Sequence, residues 1–214
     1  MSEHQCNCGG STDDWPADRE VTDGRWIDGP SVLRASLPAD VSRHMGRFLD
    51  ESVETLSDFV AAARAGTGGG PLAVDDLCHT DAPTDHTARV NGDTYSFSCF
   101  FDGIALAALV DASVEVHTTT PTGASIDLVA TPAEEVTVTP TDAVMSFGIA
   151  TDIGPAGERG QPADVAVVEA MCPYVRAFTS RDRYEGWAAG VDAATVGMPL
   201  ADGVEIAAAL TDGS

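Results

Sequence analysis

Between Ser113 and Ala150 the chain runs through four short segments, "SVEVHTTT", "ASIDLVAT", "EEVTVTP" and "AVMSFGIA", each set off by turn residues. Successive side chains of an extended strand point to opposite faces, so a period of two marks a strand. Four such runs in succession predict an antiparallel meander over 113–150. This constrains the fold more than any other feature of the chain, because the neighbouring segments must cover the meander. "DTYSFS" (93–98) follows the Asn91-Gly92 turn signal and predicts another strand. "CFFDGIALAALV" (99–110) is mostly apolar and predicts a buried helix. After the loop "TDIGPAGERGQP", "ADVAVVEAM" (163–171) predicts a short helix ending before Cys172-Pro173, and "YVRAFTS" (174–180) a strand. "SRDRYEGWAAGV" (180–191) and "PLADGVEIAAAL" (199–210) predict two closing helices.

Upstream the period changes. Val41, Met45, Phe48, Leu49, Val53, Leu56, Phe59 and Val60 recur at spacings of three and four. One amphipathic helical stretch from Pro38 to Ala65 follows, with Gly66 as its stop. "GTGGGP" then reads as a flexible joint; no Lys-Ser or Lys-Thr follows it, so it is not a phosphate loop. "LAVDDLCHTDAPTDH" is irregular or briefly helical. The expected class is α+β, a mixed or antiparallel sheet flanked by helices, with a short helical N-terminal region. A mobile tail spans 1–30, where Trp15 and Trp26 can dock; a helical region spans 31–88; the α+β unit spans 89–214.

The net charge is −23, all eleven basic residues are Arg, and 23 of the 34 acids are Asp. The carboxylates are dispersed and form no acidic tail. In ordinary buffer such a charge strains the compact state. In molar salt the Debye length falls to about 3 Å and the repulsion nearly vanishes. The composition predicts a protein of a salt-loaded cytoplasm, that of a halophilic archaeon. It argues against nucleic acid and anionic membrane as partners. The N-terminus lacks a basic segment and an apolar core, and no stretch approaches the roughly 20 apolar residues of a span, so a soluble cytoplasmic protein is expected.

Five cysteines, at 6, 8, 78, 99 and 172, are an odd number in a reducing compartment and make no disulfide framework. Cys99 and Asp102 lie three apart and share one face of the predicted helix. A thiol at the positive end of a helix is favoured as thiolate, whereas a nearby carboxylate opposes it. The two fit together as proton chemistry if Phe97, Phe100, Phe101, Ile104 and Leu106 bury Asp102 and raise its pKa. On spacing alone the pair reads as a packed thiol and an acid in the first helical turn. Cys172 changes that reading: a second thiol, fixed by Pro173 after a helix, suits a soft two-coordinate metal better than a redox pair. Zinc asks for four ligands, and only three grouped candidates are present.

The segment 89–190 resembles the alkylmercury (organomercurial) lyase family. The resemblance rests on "YSFSCFFDGIALAALV", "VEVHTTTPTGASIDLVATPAEEVTVTPTDAVMSFGIA" and "DVAVVEAMCPYVRAFTSRDRYEGWAAG" in that order. It implies that 89–214 is the catalytic domain, with Cys99 the nucleophilic thiol, Asp102 the proton carrier and Cys172 the second mercury-binding thiol. It implies protonolysis of the carbon–mercury bond, giving a hydrocarbon and Hg(II) held on Cys99 and Cys172. No resident cofactor is implied; free thiols support turnover, and small-molecule thiols or a mercuric reductase accept the Hg(II). The chain departs from the family where Pro173 follows Cys172 in place of a second cysteine, and where Thr119 stands for a structural cysteine. No winged-helix-like N-terminal region is recognisable.

Other readings follow from the same residues. The thiols suit a non-catalytic carrier of Hg(II) or Cu(I), or a redox protein in which Cys99 and Cys172 pair reversibly; a carrier needs no Asp102. Cys6 and Cys8, with His4, form "HQCNC", a candidate soft-metal pair on the tail or an incidental one. Cys78-His79 and His86 read as surface or lid residues, and His117 as a sheet-surface histidine. Asp127, Glu134 and Glu135 read as solvated strand faces, and Tyr174 and Arg176 as candidates to line the pocket.

Overall fold

The computed structural model describes residues 25–66, 70–133, 135–155 and 163–212. Strands β1 (Thr87–Val90) and β2 (Asp93–Ser96) form a hairpin. Asn91 and Gly92 close it, both with positive φ (52° and 92°), the geometry in which a two-residue turn matches strand twist. β1 pairs with β3 (Val114–Thr119), β3 with β4 (Ser125–Ala130) and β4 with β5 (Val136–Thr139), all antiparallel. The five-stranded order is β2-β1-β3-β4-β5. Val114, Val116 and Thr118 of β3, and Ile126, Leu128 and Ala130 of β4, face inward. The intervening residues face out, as the alternation predicts.

The expected four-strand meander ends one strand early. β6 (Val144–Ala150) leaves it and becomes the centre of a second antiparallel sheet, ordered β7-β6-β8. Every residue of β6 is buried, so both its faces are covered, and it cannot lie in a sheet with one solvated face. Its partner β8 (Ala193–Pro199) replaces what reads as the approach to the last helix. The strand expected over 174–180 shrinks to the two residues of β7, Ala177–Phe178.

The single stretch expected from Pro38 to Ala65 is two helices, α1 (Ala39–Leu49) and α2 (Leu56–Gly66). Asp50 turns left-handed (φ 57°) and closes α1 by donating its N–H to Gly46. Thr55 and Asp58 then cap α2 reciprocally: the Asp58 carboxylate accepts the Thr55 N–H at 2.8 Å, and the Thr55 hydroxyl accepts the Asp58 N–H at 3.2 Å. The periodicity survives the break because Val53 is buried in the loop between them. The remaining helices are α3 (Phe100–Leu109), α4 (Ala163–Met171), α5 (Arg181–Gly190) and α6 (Asp202–Thr211). α3 lies close on the five-stranded sheet because Gly103 has no side chain: a Cβ there would stand 2.8 Å from Val116 Cγ1. Among the described residues no helix is long and apolar enough to cross a membrane.

Residues at the start of the described chain are tied down. Ile27 donates to the Gly197 carbonyl at 2.8 Å and Gly197 to the Arg25 carbonyl at 2.9 Å, so Trp26 docks on β8. Arg181 lies over the Trp26 ring at 4.7 Å, and Arg25 pairs with Asp40. Trp15 lies outside the described residues. A Cβ at Gly197 would overlap the Tyr184 ring and stand 3.0 Å from the Trp26 ring. Gly197→Ala is therefore expected to cost about 1–3 kcal/mol through overpacking. Urea unfolding with Trp fluorescence should show a lower midpoint; an unchanged midpoint would mean that the two rings yield freely.

Candidate active site

Cys99 stands at the mouth of α3, extended (φ −135°, ψ 142°), with its carbonyl already accepting the Asp102 N–H at 3.4 Å. The chain leading into it is strapped twice. Phe97 donates to the His86 carbonyl at 2.9 Å, and Ser98 donates to the Cys78 carbonyl at 3.0 Å. These straps deliver an extended residue to the helix start, and Cys99 is buried there, 5% exposed. Cys99 is the N-cap of α3, the end of a helix at which the orphan N–H groups concentrate positive potential.

Asp102 lies in the first turn of α3, partly buried. Burial raises its pKa to about 6; the Cys78 N–H bonded to the carboxylate and the nearby His79 pull weakly the other way. An acid with that pKa exchanges its proton readily near neutral pH.

Cys172 opens a 3-10 turn (Cys172–Tyr174) at the end of α4, with Pro173 in its first turn. Ser146 in the middle of β6 clamps that turn. Its hydroxyl donates to the Tyr174 carbonyl at 2.8 Å and accepts the Arg176 N–H at 3.0 Å, while its N–H donates to the Arg176 carbonyl at 2.8 Å. Arg176 Nε donates to the Pro173 carbonyl at 3.0 Å. The clamp thus fixes the end of the turn that Cys172 opens. The S–H···S interaction with Cys99, then burial, then the charges of Cys99, Asp102 and Cys78 push the Cys172 thiol well up from its ordinary pKa.

The structure therefore brings together Cys99 and Asp102 at the start of α3 and Cys172 just after the end of α4. It adds Cys78, which reads from sequence as a surface or lid residue: its N–H and carbonyl both bond to the segment around Cys99. His79 comes with it, its ring 5.1 Å from Phe97 and its Nε2 2.9 Å from the Val74 carbonyl. The Cys-His doublet was the available signal, but nothing local says which loop folds back. Ser146 is a second unforeseen residue; a lone hydroxyl in an apolar strand, 0% exposed, marks it.

The other candidates lie elsewhere or play other parts. His86 is partly buried, bonded to the Thr118 hydroxyl at 2.7 Å, and burial and Arg176 lower its pKa. His117 lies exposed on the sheet, 2.7 Å from Asp127, as a sheet-surface histidine should. Tyr174 and Arg176 bond through their backbone to the Ser146 clamp. Glu135 is exposed on a strand approach. His4, Cys6, Cys8 and Glu134 lie outside the described residues. No disulfide joins Cys78, Cys99 or Cys172. Among the described residues, no set of three or more His, Cys, Asp or Glu is arranged to hold a metal ion.

Such a site offers two facing sulfurs for a soft cation and an acid able to carry one proton, next in the chain to the buried rings of Phe97 and Phe100. Residues 79–212 match the family model described as alkylmercury lyase. No curated protein matches the chain. Ten chains of solved structures do. One of them, the mercury-bound form of MerB2, is 13% identical, with a TM-score of 0.46, over 84% of this chain and 93% of that one.

Proposed function

Because the chain belongs to the alkylmercury lyase family, whose reaction is cleavage of the carbon–mercury bond of organomercury compounds, we propose that Cys99, Asp102 and Cys172 perform that cleavage here. The observation that carries this assignment is the facing of two thiols beside a partly buried acid raised to about 6. Asp102 takes the proton of the Cys99 thiol. The thiolate binds the mercury of R–Hg–X, and Cys172 adds as the second sulfur, its proton leaving with X. Electron density moves onto the carbon, and Asp102 returns its proton there. The carbon–mercury bond breaks, R–H departs, and Hg(II) stays on two sulfurs. No electrons are gained or lost: of the two thiol protons, one ends on carbon and one on X.

The apolar walls exclude water from the proton relay and accept the organic group. A carrier of Hg(II) or Cu(I) would have no use for Asp102, and burying an acid is costly, so its presence favours catalysis. The protein works without a resident cofactor; small-molecule thiols or a mercuric reductase remove the Hg(II), and Cys6 and Cys8 are candidate intermediate acceptors. Its composition, Arg without Lys and a charge of −23, supports a cytoplasm at molar salt, that of a haloarchaeon.

The test is incubation with phenylmercury or methylmercury, excess thiol and molar salt, with benzene or methane measured. The expected result is catalytic hydrocarbon release; mercury binding without hydrocarbon would support the carrier reading instead. Asp102 must begin ionised to take the Cys99 proton. Activity should therefore fall about tenfold per pH unit below about 6 and level off above it. A flat profile from pH 4.5 to 8, with the fold intact by circular dichroism, would exclude Asp102 as the base.

A further inference from the structure

The β6–β7 ladder ends on a side chain. Val144 pairs with Phe178 and Met145 with Ala177. The next pair along the two strands is Ser146 with Arg176, and only half of it is main chain to main chain. The Ser146 N–H donates to the Arg176 carbonyl at 2.8 Å. The Arg176 N–H donates instead to the Ser146 hydroxyl, at 3.0 Å, where a ladder would use the carbonyl. The same hydroxyl donates to the Tyr174 carbonyl at 2.8 Å. It therefore stops the strand and holds the residues before it in the turn Cys172–Tyr174. Each carbonyl of that turn has its own donor: the Val175 N–H at 3.3 Å for Cys172, Arg176 Nε at 3.0 Å for Pro173, and Ser146 for Tyr174. Ser146 is 0% exposed in a wholly buried strand. A hydroxyl there is costly unless bonded, and its bonds all go to this turn and to Arg176.

We propose that Ser146 and Arg176 are positioning residues for cleavage: through the turn they hold Cys172 where its sulfur meets mercury already bound to Cys99. This rests on the reading that both thiols bind the metal. Neither residue touches the substrate or moves a proton. Capture needs Cys99 alone, which has its own straps at the head of α3. Cleavage needs the second sulfur in place as the carbon leaves, and a misplacement of about 1 Å can cost roughly 10²-fold in rate. Groups that orient a metal's ligands commonly matter by about 10–100-fold. Ser146→Ala strips the Tyr174 carbonyl and the Arg176 N–H of their partner and loosens the turn. Arg176→Met keeps the aliphatic stem and loses one exposed bond, that to Pro173.

The experiment is a single turnover of the full chain with stoichiometric phenylmercury in molar salt. Capture is read by mass spectrometry as protection of Cys99 from iodoacetamide, and cleavage as benzene. Ser146→Ala should capture within twofold of the wild-type rate and release benzene at least tenfold more slowly. Arg176→Met should slow release at least threefold, again with capture unchanged. The acid limb of the pH profile should stay at its wild-type position in both, because neither residue bonds Asp102. Release at the wild-type rate in folded Ser146→Ala would overturn the proposal. So would equal slowing of capture and release, which marks a general structural role, or a shifted acid limb. If Ser146→Ala does not fold, Arg176→Met decides, and wild-type release there overturns the proposal. No benzene from the wild type itself would overturn the lyase reading, and this proposal with it.

Discussion

Asp102→Asn is expected to abolish hydrocarbon release and to make the fold more stable at pH 8. Removing a positioned proton carrier typically costs 10²–10⁴-fold in rate, and Asn can neither take the Cys99 proton nor give one to carbon. The stability gain comes from the same burial. The folded-state pKa of Asp102 is raised from 3.8 to about 6. Between those values the folded protein binds more protons than the unfolded chain, so stability falls as pH rises. The penalty is absent below about pH 4 and complete above about 6. Two pKa units correspond to about 3 kcal/mol, an upper figure for a group that keeps some contact with solvent. Asn keeps an oxygen for the Cys78 N–H and places no charge in this desolvated position. Denaturant unfolding in molar salt should give the variant the higher midpoint at pH 8, with the difference closing near pH 4. Equal midpoints at pH 8 would mean that the carboxylate is better solvated than its surroundings indicate.

The thiols should fail in different ways. Cys99→Ser is expected to reduce cleavage to background, because a hard hydroxyl neither ionises in this site nor binds a soft cation. Cys172→Ser should still capture the organomercurial on Cys99, but cleave it at least a hundredfold more slowly, about 3 kcal/mol of barrier. The second sulfur is needed to push electron density onto carbon. Capture is read from thiol loss on titration with phenylmercury, cleavage from benzene. If Cys172→Ser cleaves at the wild-type rate, one sulfur suffices and the facing pair has another purpose.

Much of this site is legible in the sequence. The Cys99–Asp102 spacing, the apolar residues around it, and Cys172 between a helix and a proline are local features, and α3 and α4 form close to where their patterns place them. What stayed hidden was non-local. β8 is built of small residues, Ala193, Ala194 and Gly197, whose strand character comes from pairing with β6 and not from alternation. β6 belongs to a second sheet because both its faces are covered, and a run of buried residues does not name its partners. The break between α1 and α2 was readable in Thr55-x-x-Asp58, but Val53 kept the apolar period unbroken across it. Cys78 reaches the site only because its loop pairs with residues 96–98, a contact no local pattern encodes.

The most direct measurement is the mass of the protein after one turnover with stoichiometric phenylmercury and no added thiol, with benzene assayed in parallel. The wild type should carry bare mercury in place of two protons and release one benzene per chain. Asp102→Asn should carry the intact phenylmercury group and release none. Bare mercury and benzene from Asp102→Asn at the wild-type yield and rate would contradict proton delivery by Asp102.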